Sequence, residues 1–408
     1  MARRRVLLFL KPFDVYPPRP CTGASASSPV SSPAPPPQPR AANSKILSYL
    51  DDRCRVHKDT INFCESVLQR KSLEWTSVQR NQLTQPIRDV DLVIAVGGDG
   101  TLLRASHFLD SSVPILGVNS DPTCSKEVDE LTNEFDARRS TGYLCAATAR
   151  NFEQILDATL DGSRRPLELS RISVKLNGTQ LPTYALNDIL VSHTCPASVS
   201  RFSFRKRSNT GEMSHLVNCR SSGLRVSTAA GSTAAMLSAG GFVMPISSHE
   251  LQYMIREPIS PTDADKPLLH GLVKKDQQML VDWYNQEGAV YIDGSHVVFS
   301  IQHGDTIEIS SDAPTLNLEK IGEVGKIRRE LAGEVLCLEE SAKRGNGVVG
   351  EGAITLHAAG ATWNGGGEVP LRHAELGREP AKKTPCEKEF LGLVQRYLKN
   401  PKQLSQNQ

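Results

Sequence analysis

The sequence predicts two domains, an α/β domain followed by a mainly β domain. The runs DVDLVIAV and VPILGVN are continuously apolar, as strands buried in a parallel sheet are, and helical patterns alternate with them. From about Arg165, alternating runs are joined by the turn dipeptides Asn177-Gly178 and Asp293-Gly294. We therefore expect an α/β domain over 1–164, a β-rich domain over 165–317 and an atypical, disordered tail over 318–408.

The first domain begins with the predicted buried strand VLLFLKP. The three arginines before it imitate a signal peptide, but the apolar run is too short and no small-residue cleavage site follows. Residues 16–42 are rich in Pro, Ser and Ala, so we expect a disordered insertion there. The segment ILSYLDDRCRVHKDTINFCESVLQRK has apolar residues at helical spacing, and TLLRASHFLD and NFEQILDATLDG are also predicted helices.

Composition excludes several function classes. The net charge of +2 and the 5% aromatic content argue against a nucleic-acid-binding protein, and no apolar run is long enough for a membrane span. The nine cysteines are odd in number and form no CxxC pair, so we predict neither a zinc cluster nor a disulfide framework. A reducing compartment, the cytoplasm, fits best. The Arg- and Ser-rich start leaves a plastid or mitochondrial transit peptide open.

The motif VGGDGTLL follows a predicted buried strand and opens a helix. Glycines without β-carbons let a phosphate or ribose approach the backbone, and the first amides of a helix attract anions. Asp99 could accept a proton from an attacking hydroxyl or help to hold Mg²⁺, two roles that suit phosphoryl transfer. The alternative is that Asp99 or Thr101 only caps the helix.

A second glycine-rich motif lies in the β-rich domain. SSGLRVSTAAGSTAAMLSAGGFV predicts a strand, a turn and a helix of small residues. Gly231, Ser232 and Thr233 can present amides and hydroxyls to a ligand, although a close-packed structural turn would have the same composition.

Together these segments resemble the NAD kinase family, whose members share GGDGT, an Asn-Asp/Glu pair and a GSTA…SAGG element. The chain contains VGGDGTLL, ALNDILV, AAGSTAAMLSAGG and YIDG in the family's order. The resemblance covers about residues 6–317 apart from the insertion, and it is greatest to the plant group that prefers NADH. It implies a Rossmann-like N-terminal α/β domain and a C-terminal β-sandwich, as in NAD kinases and diacylglycerol kinases.

The resemblance also implies a site. Asp99 matches the family's general base, which activates the 2′-hydroxyl of the adenosine ribose. Asn187 and Asp188 match the pair that holds the ribose hydroxyls and amide of the dinucleotide; the alternative is a polar break in a strand. The other residues predicted to bind nucleotide are Gly97, Gly98, Gly100, Thr101, Arg220, Ser222, Gly231, Ser232, Thr233, Ala234, Ala235 and Ser238. Arg220 fits a solvated strand end equally well.

Other residues carry no functional prediction. His107 is expected to be a helix-face histidine, and the run 205–207, Arg-Lys-Arg, a solvated strand edge. No residue is predicted to be a dedicated metal ligand.

The chain departs from the family pattern at several positions. The family has Asp at the position of Ser222, Pro-Thr at 229–230 and Tyr at the position of Ala235. The missing acid would lie near the nicotinamide, which is positively charged only when oxidised, so its loss should favour NADH. The family also closes its β domain with a strand after SDAPTLN, whereas the sequence LEKIGEVGK does not fit such a strand.

The resemblance implies ATP- and Mg²⁺-dependent phosphorylation of NADH and NAD⁺ by a homodimer. Two alternatives remain: a lipid kinase of the diacylglycerol or sphingosine type, and a dinucleotide-binding regulatory protein with weak activity. Relatives that end in a peroxisomal tripeptide make that compartment a further alternative, although SQNQ is no such signal.

Overall fold

A computed structural model describes residues 4–13, 44–163 and 165–319. The predicted insertion over 16–42 and almost all of the predicted tail over 318–408 lie outside these residues. None of the helices within the described ranges has the length and apolar character needed to cross a membrane.

The first sheet has seven strands and is mostly parallel. Its strands are β1 (Arg5–Leu10), β2 (Glu74–Gln79), β3 (Leu92–Gly97), β4 (Ile115–Asn119), β5 (Ala147–Thr148), β6 (Leu167–Leu169) and β19 (Leu316–Leu318). The order is β2-β1-β3-β4-β19-β6, with β5 also paired to β4. Only the pairing of β19 with β6 is antiparallel.

Helices cover both faces of this sheet. They are α1 (Ser44–Arg70), α2 (Asp99–Ser106), α3 (Ser125–Leu131) and α4 (Phe152–Leu160). Strand β3 is buried throughout, and its side chains alternate between two cores. Ile94 packs with residues of α1 and α4, whereas Val93 and Ala95 pack with α2. The apolar run LVIAV is unbroken because both faces of this strand are buried.

Two six-stranded antiparallel sheets form the second part of the fold. One has the order β11-β10-β15-β18-β7-β8, and the other the order β14-β13-β12-β9-β16-β17. The strands are β7 (Ser173–Leu176), β8 (Thr179–Gln180), β9 (Asp188–Ser192), β10 (Ser200–Ser208), β11 (Val217–Ser221), β12 (Gly223–Ser227), β13 (Leu251–Arg256), β14 (His270–Val273), β15 (Gln277–Trp283), β16 (Gly288–Ile292), β17 (Val297–Ile301) and β18 (Thr306–Ser310). Side chains from both sheets share one core, in which Phe202 stacks on Trp283 with ring centroids 6.2 Å apart.

The chain passes between the two sheets at Ser222 and Gly223. Strand β11 ends in one sheet at Ser221, and β12 starts the other at Gly223. Gly223 has φ +130°, and a β-carbon there would lie 2.6 Å from the carbonyl oxygen of Val191. A tight corner against a neighbouring strand therefore requires glycine at this position.

A shared core joins the two parts of the fold. Leu186 and Ala230 belong to the same buried cluster as Leu102 and Ala105 of α2. The chain also returns to the first sheet through β6 and β19. The expected boundary at 164 therefore lies three residues before β6, and the boundary at 317 lies inside β19. Sequence patterns did not reveal β6 and β19, because each has only three residues.

Candidate active site

The GGDGT turn lies at the carboxyl edge of the parallel sheet, where open α/β sheets bind ligands. Strand β3 ends at Gly97 and α2 begins at Asp99. Gly98 occupies the N-cap position, so neither Asp99 nor Thr101 is the N-cap residue of this helix. A β-carbon on Gly97 would collide with Thr101, whereas one on Gly100 would have no atom within 4 Å. Gly97 allows close packing, and Gly100 leaves open space above the turn.

The Asp99 carboxylate holds the chain segment 140–145 against this turn. It accepts hydrogen bonds from the backbone N–H groups of Tyr143 at 2.9 Å and Leu144 at 2.8 Å. The backbone N–H of Asp99 in turn donates to Ser140 Oγ at 3.1 Å. The side chains of Ser140 and Cys145 also approach the carboxylate, at 3.4 and 3.9 Å. Together these contacts fix the orientation of the carboxylate.

A cavity of about 310 Å³ opens beside Gly97 and Gly98. Its charged lining residues are Lys11, Arg53, Asp121, Asp136, Arg138 and Arg139. Burial lowers the pKa of Lys11, against the opposing effect of Asp121. A cavity with four cationic and two anionic side chains next to glycine backbone is suited to a polyanion such as a triphosphate.

A buried ion-pair network forms one wall of this cavity. Asp121 accepts a hydrogen bond from Arg53 at 3.0 Å and forms an ion pair with Arg139 Nε at 3.1 Å. Arg139 also donates to Glu127 at 2.7 Å. Both guanidinium groups lie near the Tyr49 ring, at 5.3 and 6.0 Å from its centroid. Burial nevertheless raises the pKa of Asp121, because desolvation outweighs the two arginines. The two arginines are thereby held in fixed positions at the cavity wall.

The Asn187–Asp188 pair sits at the start of β9 in a turn held by main-chain bonds. The Asn187 carbonyl oxygen accepts from the N–H of Thr228 at 2.9 Å. Gly231 packs so closely on this carbonyl that a β-carbon would collide with it. The side-chain Oδ1 of Asn187 is buried and has no hydrogen-bond partner among the described residues. This acceptor is available to a ligand, because buried polar atoms are rarely left unpaired.

The Asp188 carboxylate forms an ion pair with Arg225 of the neighbouring strand β12. Burial raises the pKa of Asp188 to about 6, Arg225 opposes this shift, and nearby Asp293 adds to it. Asp188 therefore changes its ionisation close to physiological pH.

The AAGSTAAMLSAGG segment forms a 3-10 turn (Gly231–Thr233) followed by the short helix α5 (Ala235–Ser238). Ala235 and Ser238 line a second cavity of about 400 Å³ together with Arg225 and Arg256. Ser232, in contrast, is fully buried; its hydroxyl donates to the Ala229 carbonyl and accepts from the N–H of Met244. Ser232 thus shapes the turn from within.

The other predicted pocket residues are spread around this region. Ser222 lies at the corner between the sheets, and its N–H donates to the carbonyl oxygen of Arg256 at 3.0 Å. Thr233 is half-buried and Ala234 is exposed. Arg220 is exposed on β11, the edge strand of its sheet, as the solvated strand-end alternative requires.

Sequence reasoning missed His107 and Asp293. His107 directly follows α2, and its Nε2 lies 2.9 Å from Asp293 Oδ2. The two side chains are only 4% and 1% exposed. Asp293 also accepts from the N–H groups of the predicted site pair, at 2.7 Å for Asn187 and 3.0 Å for Asp188. The sequence did contain a hint of Asp293, because this residue belongs to the YIDG motif quoted above. Nothing in the sequence around His107 indicated that Asp293 would be its partner.

Comparisons with known proteins identify the family of the chain. The family model of the ATP-NAD kinase N-terminal domain matches residues 42–121, which include the GGDGT turn. A probable NADH kinase of Oryza sativa subsp. japonica is 81% identical over 318 residues, covering 78% of this chain and 97% of the rice protein. The NADH kinase of Arabidopsis thaliana is 56% identical over 329 residues, covering 80% of this chain and 99% of that protein.

Two solved structures have the same fold. The NAD kinase from Archaeoglobus fulgidus, in complex with ATP, has a TM-score of 0.51 and 19% identity, covering 80% of this chain and 99% of its own. Yeast NADH kinase complexed with NADH has a TM-score of 0.55 and 13% identity, covering 85% of this chain and 89% of its own. The predicted fold class is confirmed. Since the rice and Arabidopsis enzymes match over nearly their whole lengths, the chain belongs to the NAD kinase family.

Proposed function

We propose that the protein transfers the γ-phosphoryl group of ATP to the 2′-hydroxyl of the adenosine ribose of NADH and NAD⁺. The observation that carries this proposal is the link between the two glycine-rich regions. Helix α2 starts at Asp99 and ends next to His107, which binds Asp293, and Asp293 holds the amides of Asn187 and Asp188. One rigid connection therefore relates the phosphate-side turn to the dinucleotide-side turn.

Different residues bind the two substrates, the triphosphate and the dinucleotide. The triphosphate occupies the cavity beside Gly97 and Gly98, where Lys11 and the arginines compensate its charge. The dinucleotide lies against Asn187 and Asp188, whose side-chain oxygens accept hydrogen bonds from ribose hydroxyls. Asp99 receives the proton of the attacking 2′-hydroxyl as a general base.

Magnesium would reach the site together with the triphosphate. Within the described ranges no group of three or more His, Cys, Asp or Glu could hold a metal ion. This fits Mg²⁺, which usually binds substrate phosphates and one or two carboxylates instead of a complete protein cage. Asp99 is the carboxylate that fits by position, because it belongs to the turn proposed to hold the phosphates, whereas Asp121 and Asp136 lie at the wall of the cavity. Bound Mg²⁺ neutralises charge on the triphosphate.

The charged cavities argue against a lipid kinase. A lipid substrate needs an apolar groove, whereas arginines line both cavities described above. A regulatory protein without turnover would keep the dinucleotide site alone. Incubation of the purified chain with Mg-ATP and NADH, followed by an NADPH assay, separates the three functions. Formation of NADPH supports the proposal, and its absence with intact NADH binding would support the regulatory alternative.

The general base is tested with Asp99→Asn. General-base catalysis contributes roughly 10²–10⁴-fold, so a fall in kcat of less than about tenfold would argue against this role. Asn would also disturb the amide contacts to Tyr143 and Leu144, so Ser140→Ala serves as the matched control. Ser140→Ala removes the hydroxyl that contacts the backbone N–H of Asp99 but keeps the carboxylate.

We further infer from the Ser222 position that NADH is the preferred dinucleotide. A carboxylate there would attract oxidised nicotinamide but not the neutral reduced ring, an effect of about 1–2 kcal/mol in a poorly solvated pocket. Ser222→Asp should raise activity on NAD⁺ relative to NADH, and an unchanged ratio would exclude this explanation.

The assembly and compartment of the enzyme are also proposals. We infer a homodimer in the cytoplasm, and the six cysteines within the described ranges are all free thiols, which suits a reducing compartment. Sedimentation of the purified chain tests the dimer, and imaging of a tagged chain tests the location.

A further inference from the structure

His57 links two strand ends on either side of the strand that leads into the GGDGT turn. It belongs to α1, and its side chain is fully buried. Its Nε2 lies 2.9 Å from the carbonyl oxygen of Lys11, and its Nδ1 lies 2.8 Å from Ser120 Oγ. Lys11 directly follows β1, and Ser120 directly follows β4. In the sheet, β3 lies between these two strands, so one imidazole ring connects strands that are not neighbours.

The two linked residues are also bound to the end of β3 itself. The backbone N–H of Lys11 donates to the carbonyl oxygen of Val96 at 3.0 Å. The backbone N–H of Ser120 donates to the carbonyl oxygen of Gly97 at 2.8 Å. Val96 and Gly97 are the last two residues of β3. The imidazole therefore completes a set of contacts that surrounds the start of the glycine-rich turn.

A second residue of α1 supports Ser120. Thr60 lies about one helical turn after His57, and its hydroxyl donates to the Ser120 carbonyl oxygen at 3.0 Å. The N–H, the carbonyl and the hydroxyl of Ser120 thus all have partners. The N–H and the carbonyl of Lys11 are likewise both bound. These contacts fix the backbone positions from which the two side chains enter the cavity beside the turn.

The contribution of His57 to the cavity is geometric. Nε2 donates to the Lys11 carbonyl, and in the neutral ring Nδ1 accepts from the Ser120 hydroxyl. Burial lowers the pKa of His57, which favours this neutral form. A neutral ring adds no charge to the site. Lys11 and Ser120 both line the cavity next to Gly97 and Gly98, so His57 reaches that cavity through these two residues.

We propose that His57 is a positioning residue for the triphosphate, because it holds Lys11 and Ser120 at the spacing in which the cavity binds the phosphoryl donor. This inference rests on the proposed function, which assigns that cavity to the triphosphate. The dinucleotide is assigned to Asn187 and Asp188, which lie at the start of β9 in another sheet. Loss of the imidazole should therefore weaken the binding of Mg-ATP and leave the binding of NADH unchanged.

The test compares His57→Leu with His57→Gln in the full chain. The readouts are KM for Mg-ATP at saturating NADH and KM for NADH at saturating Mg-ATP. Leucine removes both hydrogen bonds and should raise KM for Mg-ATP about tenfold, since each bond contributes a factor of about two to ten. Glutamine still donates to the Lys11 carbonyl and should keep this KM within about threefold of the original value. KM for NADH should change less than about twofold in both variants.

Val67→Ala is the matched control for a general loss of stability. Val67 is another fully buried residue of α1, and it packs in the core between this helix and the sheet. The control should unfold more easily, with both KM values within about twofold of the original chain. The inference is overturned if KM for Mg-ATP is unchanged in folded His57→Leu, if both KM values rise in parallel there, or if the control shows the same rise.

His57→Asn replaces His57→Leu if the leucine variant does not fold. Its shorter amide can accept from the Ser120 hydroxyl but is too short for the Lys11 carbonyl, so only one buried group loses its partner. KM for Mg-ATP should then be about threefold or more above that of His57→Gln. Equal values in the two variants would again overturn the inference.

Failure of the proposed function is visible separately. If the original chain binds NADH and Mg-ATP but forms no NADPH, the proposed function alone is wrong. The dissociation constant of Mg-ATP, measured by calorimetry, then replaces KM in the same comparison. A constant that rises in His57→Leu but not in Val67→Ala supports the role of His57, and an unchanged constant excludes it. A chain that binds NADH but no Mg-ATP would refute both proposals.

Discussion

His107 Nε2 lies 2.9 Å from Asp293 Oδ2, and this contact joins the helix of the GGDGT turn to the turn that presents Asn187 and Asp188. A carboxylate can only accept, so Nε2 carries the proton. His107 Nδ1 lies 3.4 Å from Arg104 on the preceding turn of the helix. Asp293 has φ +50°, a strained conformation for a residue other than glycine. The strain is tolerated because the carboxylate accepts four hydrogen bonds within the protein.

Asp293→Asn should destabilise the protein strongly. An amide side chain offers one acceptor oxygen, so at least one of the four donors loses its partner in a buried place. Each unsatisfied buried donor costs about 1–3 kcal/mol, and we expect a loss of roughly 2–4 kcal/mol in urea unfolding. The matched control is Asp305→Asn, a less buried aspartate of the same β-rich region, which should cost less than about 1 kcal/mol. An Asp293→Asn variant as stable as its control would contradict the role of this carboxylate.

The sequence was sufficient to predict the parts of the site whose structure depends on local backbone conformation. The run LVIAV followed by GGDGT predicts a buried strand and an open turn, because burial and glycine content are local properties. The two-residue turn Asn177-Gly178 is another example, since both residues have positive φ, as this type of hairpin requires.

The contacts between distant segments were not predictable in this way. His107 and Asp293 are 186 positions apart, and nothing in either local pattern points to the other. Arg171 is similar: it is 1% exposed and donates to the carbonyl oxygens of Ser106 and Leu109 at the end of α2. Such long-range polar contacts depend on how the sheets pack, which periodicity does not specify.

Substitution by alanine should affect stability and activity differently at Gly97 and at Gly100. Gly97→Ala would force a β-carbon into the Thr101 side chain, so we expect a loss of both stability and activity. Gly100→Ala has open space and lies in the first turn of α2, where alanine is favoured by up to about 1 kcal/mol. If phosphate occupies the space above Gly100, activity should fall about tenfold or more without a loss in melting temperature. Full activity of Gly100→Ala would show that no substrate approaches the turn there.

Asp188 should make dinucleotide binding depend on pH. Burial raises the pKa of Asp188 to about 6, and only the ionised carboxylate accepts hydrogen bonds with both oxygens. Between pH 7 and pH 5 the carboxylate becomes mostly protonated, so KM for NAD⁺ should rise about tenfold. NAD⁺ is the suitable substrate because NADH decomposes in acid. Asp188→Asn should bind weakly at both pH values and show no such step; a step of equal size in that variant would assign the titration to another group.

His57 should make the stability of the fold sensitive to acid. The ring is fully buried, with Nε2 2.9 Å from the carbonyl oxygen of Lys11 and Nδ1 2.8 Å from Ser120 Oγ. Nε2 donates to the carbonyl, and in the neutral ring Nδ1 accepts from the serine hydroxyl. Burial lowers the pKa of His57, because a charged ring would lose its hydration.

The direction of the pH effect follows from this shift. In the unfolded chain His57 takes up a proton near pH 6.5, whereas in the folded chain it does so only at lower pH. The unfolded state therefore binds more protons below pH 6.5. The free energy of unfolding should be at its full value above that pH and should fall in more acid solution, with a slope of up to about 1.4 kcal/mol per pH unit for this group.

His57→Gln isolates this contribution. Glutamine can still donate to the Lys11 carbonyl but does not titrate, so the variant should be less stable than the original chain at pH 7.5. The difference between the two should shrink as the pH falls from 6.5 to 5, when measured by urea unfolding. Taking the difference removes the contributions of all other titrating groups, including Asp188, whose raised pKa acts in the opposite direction. His215→Gln, at a side chain 69% exposed, should leave the slope unchanged. A constant difference between the His57 variant and the original chain across this range would mean that His57 is not the buried neutral group that limits acid stability.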